Sequence, residues 1–135
     1  IATASQYLGH SVLVPGSVVR PNGNGEISGV IDLPTATTKL QVFFQEENGE
    51  ILDQLDLGGQ SRGLVGFNWD NLPSNIKEEN KPIYISAFMG DNPDQSLATS
   101  VFSKVVGTST EDNEIKLEVD GYGLIDASKA VRFRN

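Results

Sequence analysis

The chain contains no cysteine and only one histidine, one methionine and one tryptophan among its 135 residues. The first absence removes disulfides, thiolate metal centres and cysteine nucleophiles together. A single histidine cannot supply the paired imidazoles of most transition-metal sites. No apolar run approaches the roughly 20 residues that a membrane-spanning helix needs, and no charged-then-apolar leader opens the chain. The first residue is Ile1 rather than Met, so a segment upstream is expected. Positive charge is also scarce: 10 Lys and Arg against 18 Asp and Glu leave a formal net charge of −8. Such a surface repels phosphate backbones and anionic headgroups, so neither nucleic acid nor a membrane is expected as a partner.

What is present is turn chemistry and short alternation. Fourteen glycines and six prolines punctuate a chain that is 38% hydrophobic, which is the composition of a folded protein rich in turns. Apolar residues recur with period two, the signature of half-buried strands. Ile115, Leu117 and Val119 oppose Lys116, Glu118 and Asp120. Val65, Phe67 and Trp69 are expected to point inward, as are Leu40, Val42 and Phe44. Ile83, Ile85, Ala87 and Met89 oppose Tyr84, Ser86 and Phe88. Asn48-Gly49 predicts a hairpin after Gln45, and Asp120-Gly121 a second tight return. Helical signal is confined to about a turn each at 73–81 and 126–130. The fold class is therefore all-β, with loops expected at 21–25, 91–95 and 108–113 and domain seams at the first and third of these.

Residues that could carry chemistry fit plainer roles better. His10 and Ser11 follow Gly9, one glycine short of a hydrolase nucleophile elbow. Neighbours on a strand point to opposite faces, so His10 cannot serve Ser11 as a base, and no helix follows to complete the elbow. Asp91, Asp94, Glu111, Asp112 and Glu114 lack the spacing of a calcium loop and read as solvated charge. Gly23, Gly25 and Gly29 miss the dinucleotide fingerprint and read as turn formers. Trp69 reads as a core anchor rather than a stacking platform. The 77–81 run reads as a solvated face. No catalytic residue, cofactor-binding residue or metal ligand is assigned.

The order of motifs resembles the folded part of the flagellar hook-capping (FlgD) family. The likeness lies in Ala4-Ser5-Gln6-Tyr7-Leu8-Gly9-His10-Ser11-Val12-Leu13-Val14-Pro15-Gly16, then Leu33-Pro34, Lys39-Leu40-Gln41-Val42, the Asn48-Gly49 turn, Leu55-Asp56-Leu57-Gly58, Gly63, Phe67-Asn68-Trp69-Asp70, and Val119-Asp120-Gly121-Tyr122-Gly123. Two departures stand out: Asn71 where the family usually has glycine after Trp-Asp, and Lys81-Pro82-Ile83-Tyr84 where it has Pro-x-Gly-x-Tyr, which implies a rebuilt loop between Leu72 and Pro82. The resemblance implies a small tudor-like barrel built from both chain ends (1–28 and 100–135) and an inserted immunoglobulin/fibronectin type III-like β-sandwich (29–99). It also implies a non-enzymatic scaffold, exported by the flagellar type III apparatus through the upstream region. Outside the cell, at the hook tip, it would self-associate into a cap and guide hook subunits. Contact residues are expected among apolar side chains left outside the core, namely Phe43 and Phe88, and on the irregular loop at Leu72, Pro73 and Ile76. The alternative is an extracellular β-sandwich that binds carbohydrate or another ligand.

Overall fold

Alternation becomes strand nearly everywhere it occurs in the computed structural model, which describes residues 4–129 and 133–134. The strands are β1 (Ser11–Pro15), β2 (Val18–Val19), β3 (Ile27–Leu33), β4 (Thr37–Gln45), β5 (Ile51–Gln60), β6 (Gly63–Trp69), β7 (Ile83–Met89), β8 (Ala98–Glu111), β9 (Glu114–Val119), β10 (Gly123–Asp126) and β11 (Phe133–Arg134). One α-helix, α1 (Ser74–Glu79), and two single 3-10 turns (Ala4–Gln6 and Ala127–Lys129) complete the described residues. The chain divides into two compact units, one formed by Ile1–Val14 with Phe102–Asn135 and the other by Pro15–Val101. The boundaries therefore fall at 14/15 and 101/102 rather than at 28/29 and 99/100. The first differs because β2 pairs with β7 and β3 pairs with β6, which binds residues 15–28 into the inserted unit.

In the inserted unit, β2, β7, β4 and β5 form one antiparallel sheet in that order. The second sheet centres on β3, flanked by β6 and by the first residues of β8. The inward rows are those the alternation marks: Leu40, Val42, Phe44, Ile83, Ile85, Ala87, Met89, Phe67 and Trp69 are buried, joined by Ile27, Ile31 and Leu33. The two sheets are joined at one aromatic nucleus. Trp69 stacks on Phe44 with ring centroids 4.3 Å apart and planes at 17°, and Phe67 meets Phe44 at 6.0 Å. The indole Nε1 donates to Asp53 Oδ2 at 2.8 Å, so the one polar atom of a fully buried ring is satisfied by the strand next to Phe44.

Two turns show how local residues set register. Gly49, at φ 90°, closes the β4–β5 hairpin while Asn48 Oδ1 accepts from the Glu50 N–H at 2.9 Å. The loop expected at 108–113 is mostly strand: β8 runs to Glu111, and only Asp112 and Asn113 turn. Both have positive φ, 51° and 66°, the requirement of a two-residue hairpin turn whose twist matches its strands. Gly29 is likewise not a turn former. It sits mid-strand in β3, where a Cβ would lie 2.3 Å from the Ser100 carbonyl oxygen and 2.8 Å from the Phe67 ring.

The other unit is built from both chain ends. Strand β1 pairs antiparallel with β11, and the ladder continues through β8, β9 and β10. Backbone bonds from Gly9 N to Val105 O (3.1 Å) and from Val105 N to His10 O (2.8 Å) fix the chain just before β1. Its core among the described residues is aliphatic: Val12, Val14, Val105, Leu117 and Val119. Buried Ser103 donates to the Asp120 carbonyl at 2.7 Å. Lys116 and Asp126, directly opposite across β9 and β10, form an ion pair.

Candidate functional site

Successive residues of a strand point to opposite faces, so the residues that alternate with the buried rows of β4 and β7 form the outer face of the β2–β7–β4–β5 sheet. Strand β4 contributes Gln41 and Phe43, β7 contributes Ser86 and Phe88, and β5 contributes Gln54 and Asp56. Register sets them in two rows. Phe88 lies opposite Gln41, which lies opposite Asp56; one step along, Ser86 lies opposite Phe43, which lies opposite Gln54. Phe43 and Phe88 are thus diagonal neighbours. Their rings meet edge to face, with centroids 6.0 Å apart and planes at 67°, and both are half-buried. Tyr84, 37% exposed, stands two residues from Ser86 on the same face, with Val18 opposite it.

Beside this aromatic pair is a polar cluster with one charge. Gln54 Nε2 and Gln41 Nε2 both donate to Asp56 Oδ1, at 2.8 and 3.1 Å. Those two bonds, Gln54's first, together with the nearby charge of Lys39, hold the Asp56 carboxyl below the usual carboxylate range. The Lys39 stem lies against Gly90. Asp56 itself is exposed.

The residues expected to make contacts divide. Phe43 and Phe88 come together on the outer face as strand parity requires. Leu72 and Ile76 do not: Leu72 is 6% exposed and Ile76 0%, which corrects their placement on an open loop. The reason is α1. Pro73 supplies the N-cap position with φ −56° and ψ 144°, and the helix then turns Ile76 inward. It ends at Asn80, whose left-handed backbone (φ 51°) lets its N–H bond to the Ile76 carbonyl, while Arg20 Nη1 donates to the Asn80 carbonyl at 2.8 Å. Pro73 stays half-buried at the start of the helix. This short helix occupies the segment between Leu72 and Pro82. Gln41, Gln54 and Asp56 were missed because their convergence needs the β4–β5 register, which is offset by a bulge between Leu40 and Gln41. The visible part of the signal was the shared parity of Gln41 and Phe43.

Elsewhere, His10 is held by backbone bonds, its N–H donating to Tyr7 O at 3.1 Å. Among the described residues no group of three or more His, Asp or Glu is placed to hold a metal ion. Trp69 is fully buried and offers no stacking platform. No helix among the described residues is long and apolar enough to cross a membrane.

The chain matches no family model. It is similar to the basal-body rod modification protein FlgD of Escherichia coli K12, 28% identical over 74 residues that cover 50% of this chain and 32% of that protein. The match therefore spans about a third of the curated relative's length. Among solved structures, FlgD of Xanthomonas campestris is 25% identical with a TM-score of 0.69, covering 94% of each chain. FlgD of P. aeruginosa shares the fold, with a TM-score of 0.68 at 21% identity over 90% of this chain and 95% of that one. An all-β chain with a unit built from its two ends and a second unit inserted between them is thus similar in sequence and in fold to FlgD proteins.

Proposed function

We propose that this chain is part of a scaffold that assembles the bacterial flagellar hook: a cap at the tip of the growing hook that associates with its own copies and guides hook subunits into place. The X. campestris relative is described in terms of the hook capping essential for flagellar assembly, and similarity to it supports the reading. Within the chain, one observation carries it: two half-buried phenylalanines in edge-to-face contact on the outer sheet face beside Gln41, Gln54 and Asp56, with the core wholly on the other side. Side chains placed this way are available to a protein surface. Phe43, Phe88 and Pro73 remain as contact residues in this reading, and Tyr84 joins them. The tudor-like and immunoglobulin/fibronectin type III-like assignments of the two units belong to the same reading, as do export by the flagellar apparatus and action outside the cell.

Deletion of the parent gene tests the role. The expected outcome is hook subunit released unassembled into the medium, with assembly restored by the full-length protein. Normal hooks in the deletion strain would overturn it. The carbohydrate-binding alternative is not favoured, because the one tryptophan is buried in the aromatic nucleus.

A further inference from the structure

We infer that the outer face of the β4–β5–β7 sheet is a seat for an arginine side chain of a partner protein, with the guanidinium bonded at Asp56, Gln41 and Gln54 and stacked against Phe43 and Phe88. The inference rests on the reading of this face as an assembly surface and names the chemistry of what docks there.

The argument turns on donor and acceptor accounting. A carboxylate can only accept, so both glutamines must turn their NH2 groups toward Asp56 Oδ1, as their 3.1 and 2.8 Å bonds show. That orientation spends one N–H of each amide on Asp56 and leaves the two carbonyl oxygens Oε1, together with Asp56 Oδ2, as acceptors beside the second N–H of each amide. Three acceptor oxygens around one negative charge fit a cation rich in donors. Cross-strand neighbours on one face lie about 5 Å apart, so an arginine seated over Asp56 and Gln41 is within reach of the Phe43 and Phe88 rings.

Arginine fits better than lysine for two reasons. Its planar fork offers five N–H donors in fixed directions, and it is weakly hydrated and stacks on aromatic faces. Lysine is a compact, strongly hydrated charge. Charge complementarity points the same way: the chain carries a net charge of −8, so a cationic partner is drawn toward it. Lys39 is the one cation acting on Asp56; it acts through space and makes no ion pair with it among the described residues.

The test is a titration of the isotope-labelled chain with three capped tripeptides, Gly-Arg-Gly, Gly-Lys-Gly and Gly-citrulline-Gly, followed by NMR. The arginine peptide is expected to shift the Gln41 and Gln54 side-chain amides and the Phe43 and Phe88 ring signals saturably. Affinity should be about fivefold or more above that of the lysine peptide, with no saturable shift from uncharged citrulline. Asp56→Asn should lose the arginine response while its backbone spectrum stays folded, and Phe43→Ser should lose the preference over lysine. Equal response to arginine and lysine, or an unchanged response in Asp56→Asn, would overturn the inference. Hook assembly by the Phe43→Ser/Phe88→Ser protein separates the two readings. Lost assembly without arginine preference leaves the face as an assembly surface and removes the arginine; arginine preference with intact assembly keeps the seat and removes the face from hook building.

Discussion

The two units are held together by different physics. The inserted unit closes two sheets over stacked Trp69 and Phe44, a nucleus that concentrates stabilisation in a few large side chains. The unit of the chain ends has an aliphatic core of valines and Leu117 among its described residues and depends on strands from opposite termini pairing. The first kind of core resists single changes poorly at its centre and well at its edges. The second spreads its stabilisation along ladders whose closure requires contacts of the greatest sequence separation in the chain, which is entropically costly. A protein surface is therefore best carried by the inserted unit, and the aromatic face lies there.

The contrast can be broken most forcefully at its centre. Trp69→Ala removes the stack and leaves Asp53 without its indole donor, and is expected to cost about 3–5 kcal/mol, read as a lowered denaturant midpoint by circular dichroism. Leu117→Ala should cost about 2–5 kcal/mol in the other unit. Since Trp69 is the only tryptophan, its fluorescence reports the inserted unit alone. If the units melt separately, the Leu117 variant leaves the fluorescence transition in place; a transition that moves with it would show that the two unfold as one. Gly29→Ala forces a methyl against the Ser100 carbonyl and should destabilise the inserted unit by about 1–3 kcal/mol, again seen in Trp69 fluorescence.

The smallest effect belongs to the ion pair of the terminal unit. The hydrogen bond from Lys116 holds Asp126 below the usual carboxylate range, and the bond to Asp126 raises Lys116 above the usual amine value. The depressed carboxyl contributes stability that is present above its unfolded pKa of about 3.9 and is lost as pH falls through its lower folded value. The raised amine contributes stability that is present below about 10.4 and is lost as pH rises through its higher folded value. Thermal melts across acid pH should show Asp126→Asn with a shallower acid decline than the parent chain. Salt should narrow the difference, because the pair is near the surface.

Much of this was legible in the residues. Alternation placed Leu40, Val42, Phe44 and Ile83 through Met89 on the correct faces, because a one-residue error would expose an entire row. It set Phe43 and Phe88 outward by the same logic. Three things were not legible. Residues 108–111 read as a loop because threonine, serine and glutamate carry little apolar contrast, although Asp112-Asn113 was itself turn chemistry. Leu72 and Ile76 read as open because one short helix, whose burial depends on tertiary packing, decides their direction. The Asp56 cluster depends on a bulge between Leu40 and Gln41, and no local pattern announces which residue slips.

The most direct measurement pairs two properties of one variant, Phe43→Ser/Phe88→Ser in the full-length protein. Because the rings lie outside the core, the variant loses their edge-to-face contact of about 0.5–1.5 kcal/mol and the buried part of each ring, so the Trp69 fluorescence melt should move down while the chain stays folded. In cells, the same variant should release unpolymerised hook subunits. A folded variant that still builds hooks of normal number and length would contradict the account, and so would one that fails to fold.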